Sequence, residues 1–282
     1  MRRSVLLVVA GCLALSSCAV PHDRGDVTVE KIAARKDQVA SVFERYRKVR
    51  NTATELLDAK PLSTVESGPV LAIDTGSFEV SQRLATTQKL DTGSVEVTDV
   101  LTPRFGRYPL WFFAVVKDRK LGVNRAQIFE RAAAVDPWLL VATPETLANT
   151  PIPAVRKRRG QALTVKPGDG AGMSMSPGAA AKAYAASLSD ASSKQAGLVA
   201  DDSFIKQMRA TAETNGSLDG VTFSQTWGAD DVKYVLRTTD GGALAFVTLL
   251  RLDTYTVKEG LTVSWPEGTP QQAFLSSGIS RS

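Results

Sequence analysis

The sequence predicts an α+β protein made of two tandem domains, each with helices followed by an antiparallel sheet. Three observations support this prediction. Helical and strand-like hydrophobic periods follow one another twice along the chain. A stretch rich in proline, glycine and basic residues separates the two series. A length of 282 residues and a hydrophobic fraction of 43% are sufficient for two buried cores.

The N-terminus has the pattern of an exported lipoprotein. A basic start precedes an apolar run, Val5–Leu15, and two serines then lead to Cys18. The run is shorter than the roughly 20 apolar residues that span a bilayer, and it predicts a signal peptide over residues 1–17. Its end resembles the lipobox of bacterial lipoproteins, which implies that Cys18 is lipidated, with palmitate among the acyl groups. The alternative is an ordinary cleaved signal peptide with a chance cysteine.

This pattern predicts the location of the mature protein. Residues 18–26 are expected to form a lipidated tether that holds the chain at the cell membrane, on the extracytoplasmic face. Cleavage would remove Cys12, and the single histidine, His22, lies in the tether. A serine–histidine–acid triad and a zinc site of imidazole or thiolate are therefore not expected. We predict no catalytic residue, no metal and no cofactor.

The first domain is predicted over residues 27–150. Apolar residues recur at helical spacing over residues 35–58 and predict one long amphipathic helix. Ser63-x-x-Glu66 has the spacing of a capping box, which predicts a short second helix that breaks at Gly68-Pro69. Four strands are then expected, over Ser94–Leu101, Leu110–Val116, Arg125–Arg131 and Trp138–Thr143.

Residues 151–175 are predicted to form a linker, because proline, glycine, serine and basic side chains dominate there. The second domain, residues 176–282, begins with helix starts at Ser176-Pro177 and Asp202-Ser203. Its strands are expected over Val221–Trp227, Val232–Thr238, Ala243–Leu252 and Leu261–Trp265. The first domain ends in a closing strand that the second lacks, so either the chain is truncated or the second sheet is one strand short.

Several stretches of the chain carry a resemblance to a known family. They are the lipobox, Phe43–Val49, Glu66–Asp74, Tyr108–Phe113 and Met175–Gly178. These stretches resemble uncharacterised actinobacterial lipoproteins with a domain of unknown function. The resemblance covers most of the mature chain and implies two cone-shaped domains similar to nuclear transport factor 2. Its motifs are structural, so they imply no active site.

Two motifs could support hydrolytic chemistry. Ser203-x-x-Lys206 has the spacing of the nucleophile motif of penicillin-recognising enzymes, but the chain has neither Lys-Thr-Gly nor Lys-Ser-Gly. We therefore expect a helix cap followed by a surface lysine. The pairs Asp201-Asp202 and Asp230-Asp231 could serve glycoside hydrolysis, although adjacent acids in turns usually begin helices or hairpins.

Two other groups of side chains are candidates for binding. Tyr108, Trp111 and Phe113 could line a ligand pocket, since strand alternation sends Trp111 and Phe113 to one face of the sheet. Ordinary core packing is the alternative. The second group is a run of four basic residues, which could contact an anionic surface or be a solvated linker. The run consists of Arg156, Lys157, Arg158 and Arg159.

Together these features favour a non-catalytic, membrane-anchored lipoprotein that binds a ligand or a partner in the cell envelope. A carboxylate-dependent cell-wall hydrolase and a structural spacer are the alternatives. The expected partners are the membrane, through the N-terminal lipid, and an envelope protein or a wall polymer. Nucleic acid is not expected as a partner of an exported protein, although the sequence pI is about 9.2.

Overall fold

The computed structural model describes residues 30–88, 95–147, 150–274 and 279–280. The predicted signal peptide, Cys18 and the tether lie outside these residues. Within them, five α-helices and several antiparallel sheets occur, so the predicted α+β class is confirmed. No helix in this described part is long and apolar enough to cross a membrane.

The first half of the chain contains two helices and six strands. Its elements are β1 (Lys31–Ile32), α1 (Lys36–Leu56), α2 (Gly68–Arg83), β2 (Val95–Leu101), β3 (Arg104–Phe105), β4 (Leu110–Asp118), β5 (Val123–Arg131) and β6 (Leu139–Ala142). The long first helix and the four main strands agree with the sequence prediction within a few residues. Strands β2, β4, β5 and β6 form one sheet in that order.

The start of the second helix differs from the prediction of a capping box at Ser63. Ser63 lies in a 3₁₀ turn, Lys60–Thr64, and its Oγ donates to the carbonyl of Lys60 (3.0 Å). Gly68 and Pro69 begin α2 instead of breaking a helix. Gly68 takes a φ of 58°, which favours glycine, and a proline in the first turn sacrifices no helical hydrogen bond.

The first sheet buries both of its faces. Phe112 stacks on Phe129 at 5.2 Å between ring centroids, on the face that packs against α1. Trp111 and Phe113 point to the opposite face, as the strand alternation predicts. There Phe113 meets Phe246 at 5.5 Å between ring centroids. Side chains from the two predicted domains therefore share one core.

The second half of the chain is organised around a long bent hairpin. Its elements are β7 (Lys157–Arg158), β8 (Gln161–Ala162), α3 (Pro177–Ser189), α4 (Ser203–Gly216), β9 (Val221–Ala229), β10 (Tyr234–Arg237), β11 (Ala243–Phe246), β12 (Leu249–Val257), β13 (Thr262–Val263), α5 (Pro270–Phe274) and β14 (Ile279–Ser280). Strand β9 pairs with β12, and β10 pairs with β11. The predicted single strand over residues 243–252 is thus divided where the hairpin bends.

Both predicted helix caps of this half are present. Ser176 Oγ accepts a hydrogen bond from the backbone N–H of Ala179 (3.3 Å), at the start of α3. Asp202 Oδ1 accepts one from the N–H of Ile205 (2.8 Å), at the start of α4. Each bond satisfies an N–H group that the helix leaves unpaired. Both helices pack against β9.

The stretch predicted as a linker contains an ordered hairpin instead. Strands β7 and β8 pair around a turn in which Arg159 and Gly160 have φ values of 52° and 80°. Two positive φ values are what a tight two-residue hairpin turn requires. The N–H of Arg156 donates to the carbonyl of Arg237 (2.7 Å), and that of Val165 to Val235 (3.1 Å). This hairpin therefore extends the sheet beside β10.

Candidate functional site

A cleft of about 900 Å³ lies between the two halves of the chain. Segments from both halves line it: the end of β3, the starts of β4 and β10, the end of β5, and the chain that follows β8. Its lining side chains fall into aromatic, basic and acidic groups. They include Phe105, Tyr108, Trp111 and Tyr234; Arg107, Lys166, Lys233 and Arg237; and Glu130 and Asp169.

The aromatic side chains form a continuous wall. The rings of Phe105 and Trp111 lie 5.5 Å apart between centroids, and those of Trp111 and Tyr234 lie 5.6 Å apart. Trp111 is largely buried, whereas the other two rings are half-buried. Offset and edge-on contacts of this kind stabilise the wall beyond the area that it buries. The cleft therefore has a preformed apolar side.

Tyr234 and Glu130 join the two halves at the cleft. The O–H of Tyr234 donates to Glu130 Oε2 at 2.7 Å. Burial, followed by this hydrogen bond and the nearby carboxylate charge, raises the pKa of Tyr234 well above its usual range. The phenol thus stays protonated at physiological pH and occupies one oxygen of Glu130.

The basic side chains give the cleft a positive balance. Arg107, Lys166 and Lys233 are exposed, and none of them forms an ion pair with another residue in the described ranges. Arg237 is held in place, because its Nη1 donates to the carbonyl of Gly241 at 2.9 Å. Four basic groups against two carboxylates favour an anion in the cleft.

The structure separates the three aromatic residues that the sequence indicated. Tyr108 and Trp111 line the cleft. Phe113 does not line it, because its side chain is 0% exposed and packs on Phe246. Tyr234 and Lys233 are parts of the site that sequence reasoning missed. No local signal marks them, since they reach the cleft only when the two halves pack together.

The basic run lies on the β7–β8 hairpin, next to the cleft. Arg156, Lys157, Arg158 and Arg159 are all exposed. Lys157 Nζ lies 3.8 Å from Asp99 Oδ2. The run is also attached to the cleft through the backbone bond between Arg156 and Arg237. The basic run thus begins next to Arg237, one of the residues that line the cleft.

A second group of ionisable side chains is buried beneath α1 and α2. Glu66 is 0% exposed, and its Oε1 lies 3.8 Å from Arg50 Nε. Arg50 also binds Asp74, with Nη2 at 3.0 Å from Oδ2. Among the described residues, no side chain or backbone group gives either oxygen of Glu66 a hydrogen bond of normal geometry. Burial and then the charge of Asp74 raise the pKa of Glu66 to about 7, while Arg50 lowers it.

This buried carboxyl group has no direct access to substrate. A neighbouring cavity of about 430 Å³ is lined by Tyr46, Val65 and Trp138, among others, but not by Glu66. The backbone on either side of Glu66 is bound to β6, since the N–H of Ser67 donates to the carbonyl of Leu140 at 3.1 Å. Glu66 is therefore placed to affect stability and not to reach a ligand.

The side chains of Asp201 and Asp202, from the hydrolytic motifs, have structural contacts. Asp202 caps α4 and accepts a hydrogen bond from the O–H of Tyr184 (2.8 Å). Asp201 forms an ion pair with Arg209 at 2.9 Å. The backbone N–H of Asp230 donates to Thr248 (2.9 Å) at the bend of the long hairpin. Within the described ranges, no three carboxylate, histidine or cysteine side chains are grouped to hold a metal ion.

Comparison with known proteins assigns the chain to a family. Residues 31–279 match the family described as Domain of unknown function (DUF8094). The chain belongs to this family. The resemblance predicted from the sequence is thus confirmed, whereas the likeness to nuclear transport factor 2 stays a prediction.

Two similar proteins are lipoproteins of Streptomyces. An uncharacterized lipoprotein of Streptomyces avermitilis is 26% identical over 286 residues, which cover 95% of this chain and 82% of the relative. An uncharacterized lipoprotein of Streptomyces coelicolor is 24% identical over 261 residues, which cover 90% of this chain and 77% of the relative. No solved structure matches the chain. These relatives agree with a membrane-attached lipoprotein of the envelope.

Proposed function

We propose that the protein is a non-catalytic binding lipoprotein of the cell envelope, anchored through Cys18 on the extracytoplasmic face. Its cleft binds a ligand that combines a flat apolar part with an anionic group. The observation that carries this proposal is the composition of the cleft: an aromatic wall lines it together with basic side chains that lack ion-pair partners among the described residues.

The two parts of the cleft would contribute differently to binding. The wall of Phe105, Trp111 and Tyr234 offers apolar area without rearrangement, so a ligand ring loses water at little conformational cost. The exposed heads of Lys166 and Lys233 are screened by salt and would add mainly orientation and rate of association. A ligand that lacked either the ring or the charge would therefore bind more weakly.

The exposed basic residues of the β7–β8 hairpin would form a second contact, with anionic lipids or polymers of the envelope. Each basic residue near an anionic membrane surface contributes about 1 kcal/mol, and Arg156, Lys157, Arg158 and Arg159 lie together on one exposed turn. We propose that this turn contacts lipid headgroups or an anionic wall polymer. Such contact would weaken with rising salt, because the four basic residues are exposed to solvent.

A pair of fluorescent probes tests the proposed cleft chemistry. Anilinonaphthalene sulfonate carries rings and an anionic group, and N-phenylnaphthylamine has the same rings without the charge. We expect Lys233→Glu together with Arg107→Glu to weaken binding of the sulfonate by about tenfold, the equivalent of 1.4 kcal/mol. Binding of the neutral probe should not change.

Lys206→Glu is the control for charge reversal outside the cleft, to be compared with Lys233→Glu alone, because this exposed lysine lies on α4 and not in the cleft. It changes the net charge in the same direction and should leave both probes unaffected. Equal loss of sulfonate binding in Lys206→Glu would contradict a specific anion site. If neither probe binds the unaltered protein, the result would favour the alternative in which the protein is a structural spacer.

The hydrolase alternative rests on the two carboxylates of the cleft, Glu130 and Asp169. One of them is already engaged, since Glu130 accepts the hydrogen bond from Tyr234. Release of soluble fragments from purified cell walls, lost in the Glu130→Gln variant, would support the enzyme. Our proposal expects no such release.

A further inference from the structure

The outer part of the long hairpin, β9 with β12, has one covered face and one open face. Phe223 and Trp227 lie on the covered side, where α3 and α4 pack against β9. The residues of the other face are all exposed: Thr222, Ser224, Thr226, Gly228, Leu250, Leu252, Thr254 and Thr256. Leu250 and Leu252 stand out, since they are 56% and 64% exposed.

Strand β12 also has an unpaired edge. The N–H of Trp227 donates to Ser189 Oγ (2.8 Å), away from β12, so Trp227 and Arg251 form a non-hydrogen-bonded pair. By alternation, the backbone groups of Arg251, Asp253 and Tyr255 point away from β9. In the part of the chain that the structure describes, β12 pairs only with β9.

This edge lacks several of the usual protections against pairing. Exposed edges are commonly blocked by charged side chains, especially lysine, by proline or by a bulge. Strand β12 contains neither lysine nor proline, and its register against β9 runs without a bulge from Leu249 to Val257. Its two charged side chains, Arg251 and Asp253, form an ion pair with each other. The ribbon has two strands in the described part of the chain, and it is supported on one face by α3 and α4. A third strand on this edge would therefore stabilise the second half.

We propose that β12 pairs in antiparallel fashion with β12 of a second copy of this chain, with Leu252 on the two-fold axis. Residues whose backbone groups point outward must be opposite one another in the new ladder. A two-fold axis at Leu252 satisfies this condition, because it places Arg251 opposite the partner's Asp253 and Leu249 opposite the partner's Tyr255.

The charges on β12 favour this register over the two registers whose axes lie one residue away. An axis at Arg251 would place this arginine opposite the partner's Arg251, and an axis at Asp253 would place two carboxylates face to face. Like charges directly opposite on a sheet are destabilising. The axis at Leu252 instead creates two opposite-charge pairs, adjacent to the existing ion pair between Arg251 Nη2 and Asp253 Oδ2 (3.1 Å).

In this register the exposed side chains on the open face of β12 also meet those of the second copy. Leu252 meets the partner's Leu252 there, and Leu250 lies beside the partner's Thr254. Pairing of residues 249–255 would form about eight backbone hydrogen bonds, two for each of four outward-pointing pairs. Two ribbons would then become one four-stranded sheet, which removes both exposed edges of β12 and covers part of the apolar surface of each copy.

Disulfide formation in intact membranes tests the register. In a non-hydrogen-bonded pair the Cα atoms lie about 4.5 Å apart, which is within the range that a disulfide spans. Leu252→Cys in the full chain should therefore form a covalent dimer under mild oxidation. The unaltered chain has cysteines only at positions 12 and 18, so it serves as the background.

Leu250→Cys is the matched control, because this leucine is similarly exposed on the same strand. In the proposed register the two copies of residue 250 are separated by four residues, or about 13 Å. This distance is too long for a disulfide, so the variant should form at least about tenfold less dimer. Adding Thr254→Cys to Leu250→Cys should restore the dimer, since these positions become neighbours across the interface.

Charge variants test the same interface without cysteine. Asp253→Arg should reduce dimer formation by the Leu252→Cys chain, and the exchange Arg251→Asp with Asp253→Arg should restore it. Equal cross-linking at residues 250 and 252 would overturn the proposal, because it indicates parallel pairing or random collision. Absence of a Leu252→Cys dimer in chains that resist proteolysis as well as the unaltered protein would also overturn it.

Discussion

Replacing Glu66 by glutamine should remove much of the pH dependence of stability between about pH 5 and pH 7. Glu66 is fully buried, and burial with the charge of Asp74 raises its pKa from 4.5 to about 7. The folded protein therefore binds a proton that the unfolded chain has already lost in this interval. The contribution of Glu66 to stability should be full below about pH 4.5, should fall as pH rises, and should be lost above about pH 7.

The size of the effect follows from the shift in pKa. A difference of about 2.5 between the folded and unfolded values corresponds to about 3 kcal/mol, at 1.36 kcal/mol for each pKa unit. This amount would be lost from the free energy of unfolding across the interval. Glutamine keeps the shape of the side chain without the charge, so the variant should be the more stable protein at pH 8.

Urea denaturation of purified protein at several pH values measures this effect. The free energy of unfolding in water should fall with pH in the unaltered protein and should be nearly flat in Glu66→Gln. Glu79→Gln is the control, because Glu79 is an exposed carboxylate on α2, where it pairs with Arg83. A Glu66→Gln protein that keeps the full slope would refute the assignment of the titrating group.

Four further substitutions should have defined results. Cys18→Ala should abolish incorporation of labelled palmitate and release the protein from the membrane or leave it as precursor, as fractionation would show, since no other thiol follows the signal peptide. Phe112→Ala should lower the free energy of unfolding by about 3–5 kcal/mol in urea denaturation, because a fully buried ring leaves a cavity. Asp202→Ala should cost about 1 kcal/mol through the lost cap of α4. The adjacent Asp201→Ala should cost less in thermal unfolding, since it removes only a solvated ion pair.

Local patterns in the sequence were sufficient for most helices and strands. The period of α1 and the caps of α3 and α4 are properties of a few neighbouring residues, and the structure contains all three. The alternation along β4 likewise predicted that Trp111 and Phe112 face opposite sides. Such features need only backbone geometry and hydrophobicity, so they can be read before any tertiary contact is known.

Short elements and turns were harder to predict. Gly68-Pro69 has the composition of a break, but it begins α2 because proline is tolerated in a first turn. The hairpin around Arg159 has strands of two residues each, too short for a periodic signal. Its strands are held by hydrogen bonds to β10, about eighty residues later in the chain, which explains why composition alone indicated a linker.

The sequence by itself determined the α+β class, the main helices and strands, the lipoprotein character and the family. Tertiary structure alone decided the candidate site. Trp111 comes from one half of the chain and Tyr234 from the other, and their rings meet only because the two halves share a core. The raised pKa of Glu66 has the same origin, since it depends on burial beneath helices that are distant in sequence from β6. Burial and cross-chain contact are properties of the packed protein, and no local pattern encodes them.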